Sequence, residues 1–269
     1  MRRVILCAAV VLLGVGQANG AINLTFDTPV PGTIADINGL GTGFTHRLPG
    51  TGGSIATNDP NMDLLANPGS LLLTSTRADI NQYNTRNLHV LEAPGVFLSN
   101  VGTQDISISA LFLNVVVPNA SDQLELYVGV SSEKVLRAGV HDGEVFIFTE
   151  NFGLGDNNIS TGANAFAPGD DLLLSLDRSG GDWQLSWENL TNPIANGSLP
   201  SMSLPWLDGE NDLYAGVIAS NARTNTTFVG EIDYFRVNVG SPVPEPTTLV
   251  IWSVLGTFGL IYSWRRLKA

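Results

Sequence analysis

The sequence predicts an all-β fold, an antiparallel two-sheet jelly-roll sandwich over residues 21–240. Three observations predict it. Apolar residues recur with a period of two in segment after segment, and no 3.6-residue period persists beyond about two turns. Glycine (29) and proline (14) are abundant, whereas the helix-favouring lysine occurs only as Lys134 and Lys268. Turn signals separate the alternating runs, leaving no crossover helices of the kind parallel strands need.

An early strand ends at Phe26-Asp27. Residues 105–110 alternate, and 111–117 are apolar on both sides, as in a central strand. Residues 123–130 place Leu124, Leu126, Val128 and Val130 on one face. Residues 144–149, 171–176 and 182–188 continue the pattern, and 213–220 and 228–239 close it. Asp142-Gly143, Ser179-Gly180-Gly181-Asp182 and Asp208-Gly209 supply turns between them. Roughly a dozen strands are expected. A body of this size buries roughly 70% of its unfolded surface and needs no covalent staples.

Charge is sparse and unevenly placed. Charged residues make up 14% of the chain. Arg2, Arg3, Arg265, Arg266 and Lys268 lie at the two ends and Glu245 lies beyond the body, which leaves 8 basic against 24 acidic residues in between. A phosphate backbone is repelled by such a surface, so nucleic acid is excluded as a partner.

The two ends carry addresses. Residues 1–20 read as a secretory signal: Arg2-Arg3 at the front, an apolar stretch over 4–15, and small residues at Ala18-Asn19-Gly20. The single cysteine, Cys7, leaves with that segment. The mature chain then holds no disulfide, thiolate metal site or cysteine nucleophile. At the other end, Pro244-Glu245-Pro246 precedes an uncharged stretch, 247–264, followed by Arg265-Arg266-Leu267-Lys268-Ala269. As a helix this stretch spans about 27 Å, enough to cross a membrane with the basic tail inside. Residues 241–269 resemble the PEP-CTERM sorting signal, in which a Pro-Glu-Pro motif, a hydrophobic span and an arginine cluster follow in that order. Pro244, Glu245, Pro246, Arg265 and Arg266 carry the resemblance. It implies recognition by an exosortase, a membrane cysteine protease, with cleavage near Pro-Glu-Pro. It also implies export to the envelope or extracellular matrix of a bacterium that makes exopolysaccharide.

The body resembles the concanavalin A-like, LamG-type jelly rolls. The likeness rests on Phe26-Asp27, on the glycine-rich 38–44 segment, and on the closing run Glu231-Ile232-Asp233-Tyr234-Phe235-Arg236-Val237. Many members of that superfamily bind carbohydrate or protein, and some are glycosidases.

Candidate chemistry is thin. Glu231 and Asp233 echo the Glu-x-Asp start of a laminarinase-type strand motif, but Phe235, Arg236 and Val237 follow where a third carboxylate is needed. Alternation puts Glu231 and Asp233 on the face of Phe235 and Val237, at a strand end, solvated or paired. His46, His89 and His141 match no metal-ligand spacing and are expected on solvated surface. No Gly-x-Ser-x-Gly elbow and no phosphate loop occurs.

Trp183, Leu185 and Trp187 share one strand face. That face is either an aromatic platform for sugar rings or the core side of a sheet. The polar Gln184, Ser186 and Glu188 opposite favour the core. Trp206, in the loop Leu204-Pro205-Trp206, is the better ligand-contact candidate, with simple loop packing as the alternative. Asp208, Glu210 and Asp212 form the densest acidic loop, and the 155–158 segment is a second. Calcium is the cofactor such oxygen-rich loops suggest, although neither matches an EF-hand.

The sequence therefore points to a secreted binding or structural module associated with extracellular polysaccharide, held by the membrane before sorting. A polysaccharide hydrolase or lyase on the same fold is the first alternative, and a matrix or coat protein without a specific ligand is the second.

Overall fold

A computed structural model of the protein describes residues 21–29, 41–47, 60–75, 93–120, 122–131, 133–151, 158–162, 165–221 and 227–240. The expected signal (1–20), the sorting segment (241–269), His89 and most of the 155–158 loop lie outside the described residues. Among the described residues no helix is long and apolar enough to cross a membrane. Ala21–Gly240 forms one compact unit.

In chain order the strands are β1 (Ile22–Thr25), β2 (His46–Arg47), β3 (Leu71–Thr74), β4 (Pro94–Leu98), β5 (Ile106–Val115), β6 (Asp122–Ser131), β7 (Lys134–His141), β8 (Glu144–Asn151), β9 (Asn158–Ser160), β10 (Asp170–Ser179), β11 (Asp182–Asn189), β12 (Gly197–Ser198), β13 (Met202–Ser203), β14 (Leu213–Asn221) and β15 (Val229–Val239). One helical turn, α1 (Pro205–Asp208), lies between β13 and β14. One sheet has the order β1-β15-β5-β10-β11-β12, with β13 also on β11 and β3 also on β15. The other has the order β2-β4-β14-β6-β7-β8-β9. Neighbouring strands in both are antiparallel. The protein is an all-β sandwich, the layout of a jelly roll.

The core lies between the sheets. Ile108, Phe112, Leu174, Leu176, Trp183 and Leu185 come from one side, and Leu124, Leu126, Val128, Leu136, Ala138 and Val217 from the other. Each set sits on alternate positions, which is why period two in the sequence became sheet faces here. Two hairpins turn where the dipeptides required it. Asp142 and Gly143 take φ of 42° and 77° between β7 and β8, and Gly180 and Gly181 take 60° and 93° between β10 and β11. These left-handed pairs match the twist of the strands they join.

One local expectation holds in a different form and one is corrected. Asp208-Gly209 does make a turn, as the end of a helical turn: Pro205 opens α1 and Gly209 closes it with right-handed φ and ψ of −79° and −7°. In β15 the register against β5 slips between Ile232 and Tyr234. Asp233 is the extra residue of this bulge, so the alternation changes phase across it. Ile232, Phe235 and Val237 all point into the core. Glu231 therefore does not share the face of Phe235 and Val237; it accepts a hydrogen bond from Ser70 Oγ at 2.7 Å.

Candidate functional site

The outer face of the seven-stranded sheet carries the densest chemistry. On β6, Leu124, Leu126 and Val128 go to the core, so Gln123, Glu125 and Tyr127 go to the outer face. The same parity sends Arg137 outward on β7, Tyr214, Ile218 and Ser220 on β14, and Phe97 on β4. The register then sets neighbours. Tyr214 lies opposite Phe97 on one side and Gly129 on the other, and Tyr127 lies between Gly216 and Arg137.

Glycines on this face make room for side chains to lie flat. A Cβ at Gly95 would sit 2.2 Å from the Tyr127 hydroxyl. One at Gly216 would sit 2.0 Å from the Pro94 carbonyl and 2.8 Å from Tyr127 Cε1. The Tyr127 ring thus crosses β14 and reaches β4, where its hydroxyl donates to the Ala93 carbonyl at 2.9 Å. Tyr127, Val135, Ile218 and Ala93 form a second apolar cluster, separate from the main core, with Tyr214 packed against it.

Beside that cluster stands an aromatic trio. The rings of His46 and Phe97 are 5.3 Å apart, those of His46 and Tyr214 5.7 Å, and those of Phe97 and Tyr214 5.3 Å. All three pairs are tilted, within the range in which aromatic rings attract. Thr45 Oγ1 lies 2.8 Å from His46 Nδ1 and fixes the imidazole. Phe97 keeps 36% of its surface exposed, and His46 and Tyr214 are half-buried, so the trio presents ring surface to solvent.

Polar groups continue the face. Arg137 donates from Nε to Glu125 Oε2 at 2.5 Å and from Nη2 to Glu125 Oε1, a forked pair. Its Nη2 also donates to Gln123 Oε1 at 2.7 Å, and Ser220 Oγ donates to the same oxygen at 3.2 Å. The guanidinium lies 5.6 Å from the Phe148 ring centre. Glu125 and Arg137 are buried. The geometry stabilises an ion pair away from water only because both oxygens and several N–H groups are engaged.

The residues singled out from the sequence lie elsewhere. Trp183 is wholly buried and Trp187 nearly so, both facing the core, so neither ring offers a stacking face to a sugar. Trp187 Nε1 donates to the Ala195 carbonyl at 2.5 Å. Trp206, on α1, is half-buried and packed against the core. The acidic loop does not act as a unit. Asp208 Oδ1 lies 3.8 Å from Arg178 Nη1, Glu210 pairs with Lys134, and Asp212 accepts from the Asn100 backbone N–H at 3.2 Å. Among the described residues no three histidine, cysteine or acidic side chains are grouped to hold a metal.

Burial pushes the Asp208 carboxyl above its usual range, and the Arg178 charge opposes that shift only in part. Burial likewise lowers Arg178, whose Nε donates to the Gln104 carbonyl at 2.8 Å. His46 and His141 are less solvated than expected: His46 belongs to the trio, and His141 stacks edge-on to Phe146 at 4.9 Å. The trio escaped the sequence because its members come from three strands. The polar run Gln123, Glu125, Tyr127 on one side of a strand was the signal available.

No protein-family model matches the chain, and no curated protein matches it in sequence. Its fold is similar to part of a solved GH43 protein. The similarity to a mutant of BlXynB from Bacillus licheniformis has a TM-score of 0.51 at 12% identity, over 66% of this chain and 34% of that one. The chain thus spans about a third of that protein's length, and the likeness is one of fold alone. The winged bean acidic lectin, solved with methyl-α-D-galactose, gives a TM-score of 0.45 at 10% identity, over 82% of this chain and all of that one.

Proposed function

We propose that the protein is a secreted, concanavalin A-like module that binds extracellular polysaccharide through the outer face of its seven-stranded sheet. The observation that carries this reading is the His46–Phe97–Tyr214 trio, whose rings keep surface open to solvent. Ring surface suits the apolar side of a sugar. The module is non-catalytic in this reading. A glycosidase needs two carboxyl groups free to meet the glycosidic bond, and both oxygens of Glu125 are held by Arg137.

Export by residues 1–20 and sorting through the PEP-CTERM-like segment complete the proposal. An exosortase-type protease is the partner, and residues 247–264 are the membrane anchor before cleavage. The product belongs to the cell envelope or matrix.

The test is binding of residues 21–240 to a polysaccharide panel, with calcium and with chelator, each mixture checked for shortened glycan. Retention that Tyr214→Ala abolishes supports the reading. Shortened glycan makes the protein an enzyme. No retention by any polymer leaves a structural matrix protein. Mass spectrometry of the exported chain tests sorting: an intact C-terminus overturns it.

A further inference from the structure

Resting on the polysaccharide-binding reading, we infer that the ligand is a polysaccharide without anionic groups. The argument is electrostatic. Residues 21–241 hold 24 acidic and 8 basic side chains. Four of the eight, Lys134, Arg137, Arg178 and Arg236, have described side chains, and each of these is engaged. Lys134 pairs with Glu210. Arg137 is buried against Glu125. Arg178 is buried and donates to the Gln104 carbonyl. Arg236 donates to Asn23 Oδ1 at 2.8 Å and stacks over Tyr234 at 4.0 Å.

Anionic sugars are recognised by forked arginine contacts or by a field of positive sign. Among the described side chains the candidate face offers neither. Its guanidinium has its fork filled by Glu125, and Glu144 adds a carboxylate at the rim, 3.7 Å from His141. The aromatic trio asks of a ligand only an apolar ring face and hydroxyls. A neutral or amino-bearing sugar meets that demand without crossing a repulsive field, and a uronate polymer does not.

The purified protein would be run over immobilised xylan, β-glucan, chitosan and alginate at about 10 mM salt with chelator. There the screening length is about 30 Å and long-range charge is felt in full. Retention on at least one of the first three, with alginate weaker by about tenfold or more, is the expected result. Alginate retained as well as or better than the others overturns the inference while keeping the binding reading. Retention on none overturns the binding reading itself, and the inference with it.

Discussion

Glu125 and Arg137 face each other across β6 and β7 with both carboxylate oxygens held by one guanidinium, on the side of the sheet away from the core. Removing one partner strands a buried charge. Arg137→Met is expected to cost about 3–5 kcal/mol. The double replacement Glu125→Gln with Arg137→Met is expected to recover much of that loss, because it removes both charges together. Urea unfolding of the two variants checks the difference, and equal losses would show that the pair is not coupled.

Phe97→Ala and Tyr214→Ala each remove a ring from the trio. A tilted aromatic pair contributes about 0.5–1.5 kcal/mol beyond its buried area. Stability should therefore fall modestly while glycan retention is lost. Thermal unfolding measured beside retention separates the two effects.

Gly216→Ala puts a methyl group where the Pro94 carbonyl and the Tyr127 ring already are. Both neighbours are constrained, so the strain is expected to cost about 1–3 kcal/mol. Tyr127 is displaced with it, and binding should weaken together with stability. An unchanged Tm would mean that β4 and β14 move apart freely.

Asp208 gives a pH signature of definite sign. Burial raises its folded-state value, with Arg178 pulling the other way. A raised carboxyl favours the folded state at low pH, and that contribution is lost as pH rises through the raised value. Asp208→Asn is expected to be at least as stable as the natural chain near neutral pH, and the natural chain should gain on it as pH falls toward about 4. Urea midpoints across that range decide, and a gap that widens in the opposite sense would contradict the assignment.

Calcium is expected to leave Tm unchanged. Asp208, Glu210 and Asp212 answer to Arg178, Lys134 and the Asn100 N–H respectively. Gathering them around one ion would break all three contacts. A concentration-dependent rise in Tm would show that the loop rearranges to bind.

The strands were legible where alternation is long. Leu172, Leu174 and Leu176 on β10 announce a core face by themselves, whereas Trp183, Leu185 and Trp187 on β11 left a sugar platform open until their burial was seen. Alternation fails where the backbone breaks phase. The bulge at Asp233 leaves no residue-type signal, and it reassigned Glu231 from one face to the other. The candidate site was hidden for a different reason. His46 sits on a two-residue strand, too short to show a period, and its neighbours Phe97 and Tyr214 are set by strand order. Nor does sequence alone carry the register that sets Arg137 against Glu125. Carboxylates close together in sequence, as in 208–212, look like one group until each is seen to have its own partner.

The position of β14 between β4 and β6 governs when the aromatic surface comes into being. His46 and Phe97 are made early and Tyr214 late, and the sheet between them stays open until residues 213–221 enter it. A chain folding from its N-terminus has no finished aromatic trio until that strand is in place. Such a long-range closure is slow compared with hairpin formation. Its timing leaves the trio incomplete until nearly the whole body has emerged.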